Sequence, residues 1–320
     1  MIIVIPESDS SFCGLADHAC VLATELELLG ESVQIGHWRQ FQRCSPASSL
    51  LLQFTPLAYS RIGFSLPLLV QLWRWKRRGC RVISYFHELP FPNGRQWKRR
   101  LAVVVQQLYG LLLVRLSFRV LVNQESGLDW LCWLGGRDRV SYLPVFSNIG
   151  QLASVAEPME RPLQVVVFGS AGKRRHAHAL SAALGGYRHI FGSGVRVLDL
   201  GEPLADPSLL SADVECLGPL PATLAFQQLL QSRYGFFYSE PDQFSKSGVF
   251  AAYCAAGVVP VIAYGGANRS EFYLTVEELV ASSDLPARSA SVWSQARDWS
   301  SRFNASSAAA RIRLLFDQTS

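Results

Sequence analysis

Short apolar runs alternate with helically spaced stretches along almost the whole chain, and few folds accept that order. Ile2–Ile5 reads as a strand, Leu15–Leu29 as a helix stopped by Gly30, and "SVQIG" as the next strand. The order then repeats: strand "SLLLQF", loop "TPLAYSRIG", helix Phe64–Arg78, strand "CRVISYF", loop "HELPFP", a long helix, strand "RVLVN", helix "ESGLDWLCWLGG" and strand "VSYLPV". A second series runs through strand "LQVVVFG", a helix to about Leu184, a strand near "HIFG", strand "VECLG", helix Ala222–Ser232, strand "YGFFYS", an alanine-rich helix and strand "VVPVIA". Helical stretches follow from Val292. Such alternation with short connections predicts parallel sheets covered on both faces. The expected fold class is α/β, with two tandem Rossmann-like parallel-sheet domains facing a cleft. In open sheets of this kind ligands bind at the carboxyl ends of the strands, so the loops that follow strands hold the candidate residues.

The 320 residues suit two domains of ordinary size. The stretch "GQLASVAEPMERP" (Gly150–Pro162) is polar, holds two prolines and lacks periodicity. It predicts a first domain over 1–150, a linker over 151–162 and a second domain over 163–320, with the terminal helices packing back on the first. Hydrophobic residues make up 49% and charged residues 17%, a balance that excludes a disordered chain. Seven cysteines, scattered and without a CxxC pair, predict reduced core thiols in a cytoplasmic protein and no zinc site. The start "MIIVIPESDS" has no basic region, so no secretory signal is expected. Leu101–Val114, broken by Gln106 and Gln107, falls short of the ~20 apolar residues of a membrane span and reads as a buried helix.

Four loops carry chemistry. The first is "EPDQFSKSG", which follows "YGFFYS" and opens a helix. A helix start has unpaired N–H groups and partial positive charge, which suits a phosphate. Here Lys246 adds a full charge, Ser245 and Ser247 add hydroxyls, and Gly248 permits close backbone approach. An N-cap serine, a solvated lysine and a tightly packed core helix explain the same residues. The second is "FGSAGKRR", with Lys173 and Arg174 as phosphate contacts or as an ordinary basic helix start. It is not a Walker loop: Val167 stands where the first glycine belongs and Arg174 where Ser or Thr belongs. The third is "SSFCGLAD", where Gly14 either lets backbone approach an anion or simply turns the chain. The fourth is "SYFHELPFP", where His87 and Glu88 sit just past a strand. They can orient substrate or share a proton, and His87 is equally accounted for as a structural histidine. No Asp-x-Asp, HExxH, GxSxG or EF-hand pattern occurs, and no metal site or cofactor is expected.

In this order the pieces resemble a GT-B fold glycosyltransferase of the large retaining group that uses nucleotide-sugars. "SSFCGLADHACVLATELELLGESVQI" is similar to that group's opening loop and helix, and "LLQFTPLAYSRIGFSLPLLVQLWRWKRRGCRVISYFHE" to its strand–helix–strand with a His-containing loop. "LPVFSNIG" is similar to the end of the acceptor domain and "VVVFGSAGKR" to the donor domain's first strand and basic turn. "CLGPLPATLAFQQLLQSRYGFFYSEP" with "AAYCAAGVVPVI" resembles the donor-site strand–loop–helix–strand and is the most specific match. The resemblance implies sugar transfer with retained configuration and no bound catalytic metal. The donor diphosphate would sit between Gly14 and the Ser245–Gly248 loop, with Lys246 and Lys173 or Arg174 neutralising the leaving group. His87 would lie near the sugar and Asn148 at the domain junction.

The chain also departs from that pattern. Where the group carries two glutamates eight residues apart, counting back from Gly257 gives Phe244 and Ala252, with Glu240 and Asp242 the nearest acids. The usual Gly-Gly of the first loop is Cys13–Gly14. Two other classes therefore stand beside the transferase: a catalytically degenerate relative that binds nucleotide-sugar or a partner, and a nucleotide-sugar epimerase, which leans on more cleft acids than this chain offers. Charge adds a partner. Residues 1–150 hold 16 Lys and Arg against 10 Asp and Glu, whereas 151–320 hold 14 against 15. The excess gathers in "WRWKRRG" and "RQWKRR", where Trp beside cations suits an anionic membrane surface or a charged acceptor glycan. No nucleic-acid motif accompanies it, so nucleic acid is not an expected partner. The expected acceptor is a glycan or a lipid-linked molecule, and the expected location is cytoplasmic, peripheral to the membrane's inner face.

Overall fold

The computed structural model describes residues 1–6, 14–60, 63–89 and 97–318, with the side chains of 97–102 outside that description. The chain divides into two compact units: Met1–Pro144 together with Ala305–Ser320, and Val145–Asn304. In the first, β1 (Ile2–Ile5), α1 (Gly14–Leu28), β2 (Gln34–His37), β3 (Ser49–Phe54), α2 (Pro56–Tyr59), α3 (Leu66–Arg77), β4 (Arg81–Phe86), α4 (Trp97–Leu116), β5 (Arg119–Val122), α5 (Leu128–Gly135) and β6 (Val140–Tyr142) follow one another. The strands are all parallel, in spatial order β2-β1-β3-β4-β5-β6. The central strands β3 and β4 are buried along nearly their whole length, as strands covered on both faces must be. On α3, Trp75 is fully buried and its indole N–H donates to the Phe41 carbonyl at 3.0 Å, while Trp73 faces solvent. Residues two apart on a helix cannot share a face, so a single core position serves only one of them.

In the second unit come β7 (Gln164–Phe168), α6 (Ala171–Ala183), α7 (Tyr187–Phe191), β8 (Arg196–Leu200), β9 (Val214–Gly218), α8 (Ala222–Gln231), β10 (Tyr234–Phe237), α9 (Gly248–Ala256), β11 (Val259–Ile262), β12 (Leu274–Thr275), α10 (Val276–Ala281) and α11 (Leu285–Arg302). Its six strands are again parallel, in order β12-β11-β10-β7-β8-β9. The winding reverses between β7 and β10, the kind of switch point at which open sheets bind ligands. The last helix, α12 (Ala305–Asp317), packs on α1 and belongs to the first unit. Each unit has its own core, so the tandem α/β architecture is the one expected.

Two details differ from the sequence reading. "HIFG" is not a strand. Tyr187, Ile190 and Phe191, spaced i, i+3, i+4, are the buried face of α7, and the strand is β8, "RVLDL". Its Asp199 breaks the apolar run but is buried all the same, because Arg174 and His178 bind it. The expected linker over 151–162 is also part of the second unit. Arg161 is buried and donates to the carbonyls of Ser232 (3.0 Å), Ala156 (2.7 Å) and Ala256 (3.1 Å).

Helix α9 is buried from Phe250 to Ala256, and its alanines let it lie close on the sheet. Tyr253 donates its hydroxyl to the Val166 carbonyl of β7 at 2.9 Å. The helix ends at Gly257 in the left-handed region (φ 62°), where a Cβ would also stand 2.4 Å from Val155 Cγ2. Gly257→Ala is therefore expected to lower stability by at least about 1 kcal/mol, read as a drop in the urea midpoint, and an unchanged midpoint would contradict this cap.

Candidate functional site

The crevice at the carboxyl ends of β7 and β10 is narrow and bordered by Phe168, Lys173, Phe237, Tyr238 and Val249. Two helix starts meet there. After β7 the chain passes Gly169 (φ 120°), where a Cβ would stand 2.8 Å from Val249 Cγ2, so only glycine lets this turn come so close to the first turn of α9. Ser170 then precedes α6, and Lys173 lies in its first turn. The structure thus brings the Lys173 loop and the α9 start together.

At the α9 start, Ser247 is buried and its hydroxyl accepts the Phe250 N–H at 3.4 Å. That is the capping role. The cap serves the third N–H only, so the Gly248 and Val249 amides point out of the helix with no intrahelical acceptor. Gly248 is exposed, and no atom lies within 4 Å of where its Cβ would be. Ser245 is buried, and its carbonyl accepts the Val145 N–H at 3.2 Å. Lys246, half-buried, closes the 3-10 turn Pro241–Lys246 and forms no ion pair with another described residue. Glu240 accepts a hydrogen bond from Gln243 Nε2.

Phe244 is the one large apolar side chain of this loop, and it anchors the loop. Its ring packs against Phe250, Phe272, Tyr273 and Trp299 with centroids 4.9–5.7 Å apart, pinning the loop to α11. Ala252 is fully buried on α9. Both positions counted from Gly257 are therefore packing positions.

Arg174, expected as a phosphate contact, is committed inside the fold. It is 1% exposed, pairs with Asp199 through Nη1, and donates to the Gly169 carbonyl from Nε (2.9 Å) and to the Glu202 carbonyl from Nη2. Asp199 also accepts from His178 Nε2 at 3.2 Å, and Tyr187 bonds His178 Nδ1 at 2.8 Å. Burial pushes the Asp199 carboxyl up, but the bonds from His178 and Arg174 outweigh it and hold it below its ordinary range. The sequence reading missed His176 and Tyr238, whose rings stack 4.5 Å apart one turn beyond Lys173. The spacing from Lys173 to His176 is visible in the sequence, but the partner Tyr238 comes from a different element, just past β10.

In the first unit, His87 and Glu88 part company: Glu88 is exposed and His87 is 9% exposed. His87 Nε2 donates to Gln53 Oε1, and its Nδ1 lies 3.5 Å from Asn123 Nδ2. Both ring nitrogens thus face side-chain amides from the ends of neighbouring strands, and the expected His–Glu proton pair is not formed. His18 of α1 meets the His87 ring edge-on at 5.3 Å, and Tyr85 lies 4.2 Å from it. Burial holds both imidazoles neutral: it lowers His18 to about 3, and burial together with His18 carries His87 well below its usual value. Gly14 begins α1, exposed, with nothing within 4 Å of where a Cβ would be, while Cys13 and the loop before it lie outside the described residues. Asn148 is half-buried in the second unit, and the Arg95–Arg100 segment is described only in its backbone from 97. Among the described residues no group of three His, Cys, Asp or Glu is placed to hold a metal ion, and no helix is long and apolar enough to cross a membrane.

No family model and no curated protein matches the chain. Solved structures do. TarM matches with a TM-score of 0.52 at 12% identity over 93% of this chain, which spans 58% of TarM's length. An α,α-trehalose-phosphate synthase (UDP-forming) from Burkholderia xenovorans, in complex with glucose-6-phosphate, matches at 0.57 and 13% over 95% of this chain and 78% of its own. WaaG, a glycosyltransferase involved in lipopolysaccharide biosynthesis, matches at 0.55 and 12% over 97% of this chain and 99% of its own. Two parallel six-stranded sheets covered by helices match the GT-B fold of these structures, and that is the fold of this chain.

Two outcomes are expected. Asp199→Asn removes a buried charge from Arg174 and His178 and should cost about 3–5 kcal/mol in chemical denaturation; a loss below about 1 kcal/mol would show the network to be dispensable. Stability should also fall with acid. The unfolded chain binds histidine protons near pH 6.5, whereas folded His18 takes one only near 3. Between those values the unfolded state holds more protons, so unfolding free energy should drop by up to about 1.4 kcal/mol per pH unit for each such histidine. Urea titrations at descending pH should show a shallower slope in His18→Gln than in the parent.

Proposed function

We propose that the protein is a glycosyltransferase that moves a sugar from a nucleotide-sugar to a glycan or lipid-linked acceptor, with retention and without a catalytic metal. The observation that carries this is the β7–β10 crevice, where Lys173 and the open first turn of α9 meet at the switch point of a GT-B fold. A diphosphate there would take the Gly248 and Val249 amides as donors and Lys173 and Lys246 as counter-charges. Negative charge grows on the diphosphate as the glycosidic bond to it breaks, so these fixed donors would stabilise the departing group more than the ground state. His176 and Tyr238 would offer a flat aromatic wall beside it. His87, neutral and held between two amides, would serve as a hydrogen-bonding and orienting group rather than as a cation. An anionic membrane is the expected setting for a lipid-linked acceptor.

One observation favours a second reading, a protein that binds a nucleotide-sugar or a partner without turnover. Phe244 and Ala252 give to packing the two positions at which the resembling group carries carboxylates.

Calorimetric titration with UDP and GDP should give binding that Lys246→Ala weakens by about tenfold or more at an unchanged melting temperature. Equal affinity in the two proteins would remove the α9 loop from the donor site. Assays with a panel of UDP- and GDP-sugars then separate the readings: nucleotide release supports the transferase, and tight binding with no release supports the binder. His87→Ala should lower turnover with little change in nucleotide affinity, and unchanged turnover would take His87 out of the mechanism.

A further inference from the structure

The first unit carries an apolar face that its own fold leaves uncovered. Helices α3 and α4 lie side by side, joined where Lys76 Nζ donates to the Arg115 carbonyl at 2.9 Å and where Tyr109 donates its hydroxyl to the Ser65 carbonyl at 3.2 Å. Leu68, Leu69, Leu72 and Trp75 of α3 and Tyr109, Leu113 and Val114 of α4 are buried. The opposite stripe of α3 is Leu66, Val70 and Trp73, and that of α4 is Val104, Leu108 and Leu112. Helical spacing puts each trio on one outward line. All six are between 38% and 58% exposed, a grouping that a solvated surface does not require.

The charge around this face selects what covers it. Neither helix contains an acidic residue, while α3 ends in Arg74, Lys76 and Arg77 and α4 ends with Arg115. Arg77 lies over the Trp73 ring at 5.0 Å, so the indole is held at the surface with a cation beside it. Apolar side chains flanked by Arg and Lys, with Trp among them, match the boundary between lipid headgroups and acyl chains. A second copy of the chain fits badly, because a two-fold contact through this face would set the two cationic fringes against each other. We propose that the α3–α4 face is a monotopic membrane-docking surface that inserts Trp73 and Leu108 into an anionic leaflet. The inference concerns the first unit alone and does not depend on sugar transfer.

The test is co-sedimentation of the full chain with phosphatidylcholine vesicles with and without phosphatidylglycerol, at low and high salt. The parent should bind the anionic vesicles, bind neutral ones far less, and lose most of its binding at high salt. Leu108→Asp and Trp73→Asp change exposed positions, so each should keep the parent's melting temperature while weakening binding about tenfold or more. Arg74→Gln combined with Arg77→Gln should weaken binding to the anionic vesicles only. Brominated lipids should quench part of the tryptophan fluorescence of the parent, and Trp73→Phe should remove much of that quenched part, which keeps the proposal testable if an aspartate variant misfolds. Absence of vesicle binding overturns the proposal, as does binding that none of these variants changes. A solution dimer that Leu108→Asp dissociates, with no vesicle binding, would assign the face to a second copy and overturn it too.

Discussion

One guanidinium organises the carboxyl end of the second sheet. Arg174 leaves the first turn of α6, enters the interior, and binds the Gly169 carbonyl after β7, the Asp199 carboxylate on β8 and the Glu202 carbonyl just beyond it. Its planar fork reaches three places at once, which a lysine's single ammonium would not. A buried charge of this kind is tolerated only because each donor has an acceptor, and His178 and Tyr187 extend the same network below it. With the turn after β7 held, Gly169 can sit against Val249, and the starts of α6 and α9 share one crevice. The site's shape thus depends on a buried cation whose donors are engaged within the fold.

The α9 start shows how packing and binding divide a short loop between them. Phe244 and Ser247 face inward, the first into an aromatic cluster with Trp299 and the second as the cap. Gly248 faces outward and Lys246 stays partly exposed. Rigid anchoring on one side and open amides on the other is what an anion site requires, since donors already in place cost little to order when a ligand arrives. The first unit follows a similar logic with neutral groups. His18 and His87 lie against each other at the ends of the strands, and burial removes their charge, so the pair can coexist where two imidazolium ions would repel.

Much of the fold was legible along the chain. The strands β3, β4, β7, β10 and β11 are apolar runs bounded by turns, and local pattern suffices for elements buried on both faces. The misses have one cause. β8 was overlooked because Asp199 interrupts it, and the partners that let a carboxylate stay buried, Arg174 and His178, come from a different element. "HIFG" reads as a strand because the five residues of α7 are too few to separate a helix from a strand by period. The candidate residues followed the same rule. That Lys173 and Gly248 are near each other needs the sheet order, and that Arg174 is occupied needs Asp199.

By itself the amino-acid order determined the alternation of elements, the parallel sheets, the capped helix after "EPDQFSKS" and the outward line of apolar and cationic residues on α3, because each is set by the spacing of residues within a few turns of one another. Only tertiary structure decided which cation of the Lys173–Arg174 pair turns inward, which ring nitrogens of His87 are engaged, and that Phe244 joins an aromatic cluster. Those outcomes are settled by partners more than twenty residues away for Arg174, His87 and much of the Phe244 cluster, and desolvation favours whichever polar group can find such a partner before burial.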